Sequence, residues 1–402
     1  MLSGFFLLLK KINILLIEDD FSINVRKHIS CILINILNTL SFFCKMRNRK
    51  HGDDKNMKKT ILIVMSLLLL LLTACRADYE KIYSKEKYVL GTFVTIAVYS
   101  NSQVPEELFE KCFEALQNIE NNMTINKQLN SEVEKINQKA GIEEVKVSDE
   151  TFYVICQGIK YTDITDNKFD ISIGPVVKLW NIGFEDERVP RDEEIKKALE
   201  LVGTDEIILD EKDKTVKLAR KGMILDLGAI AKGYAADKVL SIIKNEDYEN
   251  SVINIGGNIL CNGKKEDNSK FKIGLRNPSK DSNSYLGVIE CFNTSIVTSG
   301  IYERNFTENG NLYHHIIDTK TGYPVNNKLA SVTIITPQSI YADALSTGVF
   351  AMGYEDGLEF VEQLDGVEAI FITQDKQIFL TKGVKALFTL TDKEYKLAQS
   401  RK

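Results

Sequence analysis

The chain has little of what builds the simpler scaffolds. Its 402 residues include six prolines, one tryptophan and four histidines. So few prolines, beside 24 glycines in no fixed period, exclude a collagen-like or proline-rich disordered chain. Charged residues make up 27% of it but form no long blocks of one sign. The seven cysteines make no Cys-x-x-Cys pair, which argues against a zinc site or a disulfide scaffold. Cys112, Cys156, Cys261 and Cys291 are read as buried thiols.

One long apolar run is present. Ile61 to Leu72 follows Lys58-Lys59 and leads into Leu72-Thr73-Ala74-Cys75. A cationic start, a dozen apolar residues and small residues make a secretory signal. The run falls short of the roughly 20 residues that span a bilayer. A cysteine in this place resembles a bacterial lipobox. Residues 57–74 are therefore expected to be a lipoprotein signal peptide, Cys75 the acylated N-terminus and 75–87 a tether. The protein is then expected on the outer face of the bacterial cytoplasmic membrane. Residues 1–56 read as an extension upstream of the true start. Ile12 to Asp20 resembles the first strand of a receiver domain whose remainder is missing, so Asp19 and Asp20 receive no function. From Cys75 onward 40 basic residues face 51 acidic ones, a net charge of −11. Such a surface repels phosphate backbones and excludes nucleic acid as a partner.

The periodicities predict strands at Tyr88–Tyr99, Ser251–Ile255, Phe271–Leu275, Leu286–Phe292, Leu329–Thr336, Ala369–Thr373, Gln377–Leu380 and Ala386–Thr391. Helices are expected at Pro105–Met123, Asp149–Thr162, Asp192–Leu201, Ala231–Ile243, Ser339–Met352 and Leu358–Leu364, and a hairpin at Ile207–Leu218. Met223–Leu227 is a further strand candidate. Without a regular βαβ alternation the fold class is α+β, with mixed or antiparallel sheets in two lobes and flanking helices.

Chemistry concentrates in a few segments. His314 and His315, the only histidines after Cys75, run into a turn carrying Asp318, Gly322 and Pro324. Neighbours on a strand face opposite ways, so they make a poor zinc pair. Asp226 to Gly233 passes from an apolar run into a helix, a junction whose free N–H groups suit an anion, with Lys232 as a cation for phosphate. It is not a Walker A motif. Asp343 and Thr347 are four apart and share a helix face, and with a carbonyl from the Gly228 loop they would give hard oxygens for Mg²⁺. Alternatively, Asp343 is a solvated charge and Thr347 bonds back to its own helix. Two further glycine-marked segments are Phe169–Pro175, which leads to Trp180, and Ile253–Asn258.

In order, the segments Leu90–Thr92, Phe169–Trp180, Asp226–Asp237, Ile253–Asn258, Ile273–Pro278, Thr298–Arg304, His315–Pro324 and Ala342–Thr347 resemble the ApbE family of flavin transferases. They span roughly residues 88–390, and the domain is expected at 88–392. The resemblance implies Mg²⁺-dependent transfer of FMN from FAD, as substrate, to a Thr or Ser hydroxyl of an acceptor flavoprotein, with release of AMP. That acceptor would be a membrane or extracellular electron-transfer subunit. By motif, Ala229 (through its carbonyl), Asp343 and Thr347 would hold the metal. Leu90, Phe169, Asp170, Ile171, Asp226, Lys232 and Ile317 would line the FAD site. His315 would be the general base, with Asp226 or a metal-bound hydroxide as alternatives. Leu90 and Thr319 depart from the family's methionine and proline. Asn126 stands where the family carries an aromatic ring, and would admit water beside the flavin nucleotide. This leaves FAD hydrolysis to FMN and AMP as one alternative activity and a non-catalytic flavin-binding lipoprotein as another.

Overall fold

Alternating apolar residues between Lys81 and Ser100 make two strands, β1 (Lys81–Val89) and β2 (Thr92–Ser100), which pair antiparallel through a two-residue turn at Leu90-Gly91. Both turn residues have positive φ, +57° and +70°, as this tight hairpin demands. The expected single strand is thus broken at Leu90, and Lys81 to Lys87, expected as tether, are strand. The strand lies at the sheet edge, where its lysines discourage further pairing. The computed structural model describes residues 81–126, 130–265, 267–279 and 284–398. The signal segment, Cys75 and residues 1–56 lie outside them.

The remaining strands are β3 (Val145–Lys146), β4 (Ile207–Asp210), β5 (Thr215–Leu218), β6 (Asn250–Ile255), β7 (Asn258–Asn262), β8 (Phe271–Arg276), β9 (Tyr285–Cys291), β10 (Thr294–Gly300), β11 (Asn305–Glu308), β12 (Asn311–His314), β13 (Leu329–Thr336), β14 (Glu368–Thr373), β15 (Gln377–Leu380), β16 (Phe388–Leu390) and β17 (Lys396–Leu397). The helices are α1 (Glu106–Met123), α2 (Glu132–Gln138), α3 (Asp149–Ile164), α4 (Gly174–Trp180), α5 (Asp192–Leu199), α6 (Ala231–Asn245), α7 (Ser339–Met352) and α8 (Tyr354–Glu362). Among the described residues no helix is long and apolar enough to cross a membrane.

Nine strands form one sheet in the order β1-β2-β6-β7-β10-β13-β14-β15-β17, antiparallel except for β15 with β17. Its second half is covered on both faces. Ala369 and Phe371 of β14 pack with α7 and α8, whereas Ile370 and Ile372 pack with the three-stranded sheet β16-β9-β8. Double coverage explains why every residue of β13 is buried and why its sequence is apolar or small throughout. A third apolar cluster joins β2 and β6 to α1, α3 and α6.

Met223–Leu227 does not become a strand; only Ile224 bridges, to Ile173. The Asn137 amide stands in for the missing partner, donating to the Leu225 carbonyl at 3.0 Å and accepting from its N–H at 2.7 Å. The adjacent Asp226 N–H donates to the Ile171 carbonyl at 2.8 Å. The chain therefore reaches the start of α6 in an extended, fixed path.

Candidate active site

The site is built where α6 and α7 touch. Gly233, in the first turn of α6, permits the contact: a Cβ there would lie 2.3 Å from the Ser339 carbonyl oxygen and 2.7 Å from Asp343 Cβ. Asp237, one turn further along α6, accepts the Ser339 and Ile340 N–H groups at 2.9 and 2.8 Å. It thereby caps α7, whose own N-cap residue Gln338 makes no side-chain cap. Burial pushes the Asp237 carboxyl up to about 6, with Asp343's charge adding and the two N–H bonds opposing. Asp237 lies inside a motif the sequence displays, but its capping role needs a second helix that sequence order does not show.

Asp343 is 3% exposed, so it is no solvated charge. Its Oδ2 accepts the Gly233 N–H at 2.8 Å, and its Oδ1 lies 3.7 Å from Lys232 Nζ. In a regular helix start the Gly233 N–H would bond to the Ala229 carbonyl. The carbonyls of Leu227 and Ile230, on either side, do accept from the helix, but among the described residues no hydrogen bond reaches that of Ala229. An unpaired carbonyl and a buried carboxylate are the donor chemistry of a hard cation.

Thr347 stands one turn further along α7 than Asp343. Its hydroxyl lies 3.4 Å from Ser299 Oγ, and Ser299 lies 2.8 Å from Ser346 Oγ. It is Ser346, not Thr347, that bonds back to the Asp343 carbonyl, at 2.9 Å. Ser299, on β10, lies in the Thr298-Ser299-Gly300 motif, the sequence signal that points to it. Among the described residues no three His, Cys, Asp or Glu side chains cluster for a metal. A cation here would rest on one carboxylate and neutral oxygens, as Mg²⁺ accepts when water and phosphate fill its other positions.

His314 and His315 have separate fates. His314 ends β12, is buried against the Phe350 ring, and its Nε2 meets the Val325 carbonyl at 2.8 Å. His315 stands near Lys232 and holds Nδ1 3.2 Å from the Arg304 carbonyl. A carbonyl only accepts, so Nδ1 carries the proton and the Nε2 lone pair is free. Desolvation holds His315 down at about 4; the hydrogen bond to the Arg304 carbonyl opposes this, and the Arg304, His314 and Lys232 charges add to it. A pKa near 7, which would suit a base at neutral pH, is therefore not found in the ligand-free site.

The other expected residues surround this centre unequally. Asp226 Oδ1 accepts the Gly228 N–H at 2.8 Å and shapes the turn before α6. Phe169 and Ile171 are buried, and Phe169 lies beside Gly348, next to Thr347. Asp170 folds back on the Ser172 N–H and hydroxyl at 2.7 and 2.6 Å, while burial pushes its carboxyl up against those bonds. Ile317 is buried beside Trp180, whose Nε1 donates to the Gly322 carbonyl at 2.7 Å. The Asp318 loop reaches the turn before Phe169 through Thr319, which donates to the Asn167 carbonyl at 2.6 Å. Leu90 sits at the β1–β2 turn beside the Gly256 turn, and Asn126 is exposed, with Lys178 Nζ 2.7 Å from its Oδ1. Among the described residues no hydrogen bond or ion pair joins either of these two to Asp343 or Lys232.

The model of the ApbE family matches residues 90–371. An FAD:protein FMN transferase of Klebsiella pneumoniae is 36% identical over 79% of this chain and 98% of its own length. One of Treponema pallidum is 33% identical over 75% of this chain and 87% of its own. The crystal structure of the ApbE protein of Thermotoga maritima superposes with a TM-score of 0.71 at 32% identity, covering 76% of this chain and 99% of that one. By sequence and by α+β architecture alike, the chain belongs to the ApbE family.

Proposed function

We propose that the chain is an FAD:protein FMN transferase, moving FMN from FAD to a Thr or Ser hydroxyl of an acceptor flavoprotein and releasing AMP. The observation that carries this reading is the Gly233 N–H bonded to Asp343, which holds that buried carboxylate close to the Lys232 ammonium and leaves the Ala229 carbonyl without a hydrogen bond among the described residues. Ala229, Asp343 and Thr347 would hold Mg²⁺. When bound, that ion would neutralise charge on the phosphate oxygens.

The chain's own groups supply the rest. Lys232, in the first turn of α6, offers an ammonium to the diphosphate, and the α6 N-terminus adds its partial positive charge. The acceptor hydroxyl oxygen attacks the phosphorus on the FMN side. The bond from that phosphorus to the bridging oxygen breaks, and AMP departs with the oxygen. His315 Nε2 takes the hydroxyl proton. Diphosphate charge entering the site would lift the His315 pKa from about 4 toward the range of a working base.

The likeness of residues 57–75 to a lipoprotein signal supports a position on the outer face of the bacterial cytoplasmic membrane, held by lipid on Cys75, where the acceptor would be a membrane or extracellular electron-transfer subunit. The test is intact-mass spectrometry of the full chain with FAD, Mg²⁺ and a threonine-bearing acceptor. A gain of one FMN on the acceptor, with AMP released, is the expected result. Free FMN and AMP beside an unmodified acceptor would replace it with FAD hydrolysis, and unchanged FAD would leave only flavin binding.

A further inference from the structure

Two thiols meet in the core on the opposite face of the large sheet from α7. Cys261 on β7 is 0% exposed and Cys291, the last residue of β9, 3%. Their Sγ atoms lie 3.4 Å apart. The two strands belong to different sheets, β7 to the nine-stranded and β9 to the three-stranded one, and both cysteines sit in the apolar layer between them. Neighbouring contacts hold the pair in place. Thr294 of β10 pairs with Cys261, and the Gly263 N–H donates to Asn293 Oδ1 at 2.7 Å, so the β9–β10 turn is fastened to β7 beside both sulfurs. Hydrogen bonding with Cys261 holds the Cys291 thiol below its ordinary range; burial opposes this and the Lys270 ammonium favours it. Cys112 and Cys156 belong to a different apolar cluster.

We propose that Cys261 and Cys291 are a disulfide-forming pair, oxidised by an external disulfide as the chain folds, and that their bond staples the three-stranded sheet onto the nine-stranded one. A disulfide holds its sulfurs about 2.05 Å apart, so the thiols need approach by only about 1.4 Å. In the first step the Cys291 thiolate attacks one sulfur of the oxidant, an S–S bond forms, and one oxidant thiolate leaves and is protonated. Cys261, giving its proton to solvent, then attacks Cys291 Sγ and expels the second thiolate. Two protein thiols are oxidised while one external disulfide is reduced to two thiols. Because both sulfurs are buried in the finished fold, the exchange belongs to the folding or locally opened chain, and the closed bond is then shielded from reductants.

The test refolds the full chain in detergent with oxidised glutathione or with a phosphine reductant, alkylates free thiols in denaturant, and maps tryptic peptides by mass spectrometry. The expected product is about 2 Da lighter, with one bond joining the Cys261 and Cys291 peptides. The oxidised protein should melt roughly 5 °C above the reduced one. The doubly substituted Cys261→Ser, Cys291→Ser chain should show no such redox dependence. Alkylation of both cysteines after oxidation, a bond from either to Cys112 or Cys156, or glutathione retained on Cys291 would overturn the pairing. A mapped bond with equal melting temperatures would overturn the staple. The mapping uses the wild-type chain, so it decides the pairing even if the serine variant does not fold.

Discussion

The Gly233 N–H donates to Asp343 Oδ2 at 2.8 Å, joining two helices through residues 110 positions apart in sequence. One hydrogen bond thus fixes the carboxylate and withdraws the N–H that the Ala229 carbonyl would otherwise receive. Asp343→Asn keeps an acceptor for Gly233 but removes the charge. It should leave stability within about 1 kcal/mol of wild type and abolish Mg²⁺-dependent turnover. Asp343→Ala should lose turnover too, and stability by about 1–3 kcal/mol, because the buried N–H is left unpaired. Urea melts and Mg²⁺ titrations of both variants check this; near-normal turnover in either removes Asp343 from the metal site.

Gly233→Ala probes the same contact sterically. Its Cβ would sit 2.3 Å from the Ser339 carbonyl oxygen, so α6 and α7 must separate. A loss of about 1–3 kcal/mol is expected, together with a weaker response to Mg²⁺. A variant with wild-type melting and metal dependence would show that the helices can part without disturbing the site.

His315 gives a pH dependence of known sign. Its folded-state pKa of about 4 lies below the ordinary 6.5, so the unfolded chain binds the extra proton. Its stabilisation is complete above pH 6.5 and is lost as pH falls toward 4, by at most about 3 kcal/mol. Asp237, raised to about 6 from 3.8, acts oppositely, losing stabilisation as pH rises through that window. The two are separated by comparison: His315→Asn should flatten the acid-side loss, and wild-type and variant stability curves that run parallel from pH 7 to 4 would refute it. The acid limb of kcat/KM, which reports the free enzyme, should bend near pH 4, where His315 gains its proton.

Asn126 tests the balance between transfer and hydrolysis. It is exposed, with Lys178 Nζ 2.7 Å from its Oδ1. Asn126→Tyr would replace a water-binding amide by a ring and release Lys178. FAD hydrolysis without acceptor should fall about tenfold or more, by removal of a site for water. An unchanged rate of AMP release would separate Asn126 from the choice of nucleophile.

Local signals carried much of the fold. Phe109, Phe113, Leu116 and Ile119 recur at helical spacing and all four are buried on α1. Leu329–Thr336 reads as a strand and is one. Errors arose where a turn or a distant partner decided. Leu90 in the left-handed region broke a continuous β pattern into a hairpin, and β10, whose neighbours β7 and β13 are remote in sequence, gave no periodic signal of its own. Met223–Leu227 has strand composition but lacks a neighbouring strand along its length, and an asparagine side chain took that place.

The sequence by itself determined the family, the α+β class and the residue types at the site, because motif order and side-chain chemistry are properties of the chain. Only the tertiary structure decided how those groups are used. It buried Asp343 against Gly233, set Asp237 as the cap of a helix other than its own, turned the Gly233 N–H away from the Ala229 carbonyl and brought Cys261 to Cys291. Each of these depends on the approach of two elements far apart in sequence. Their distance is set by packing, through a missing Cβ or a shared apolar layer, and no local periodicity encodes it.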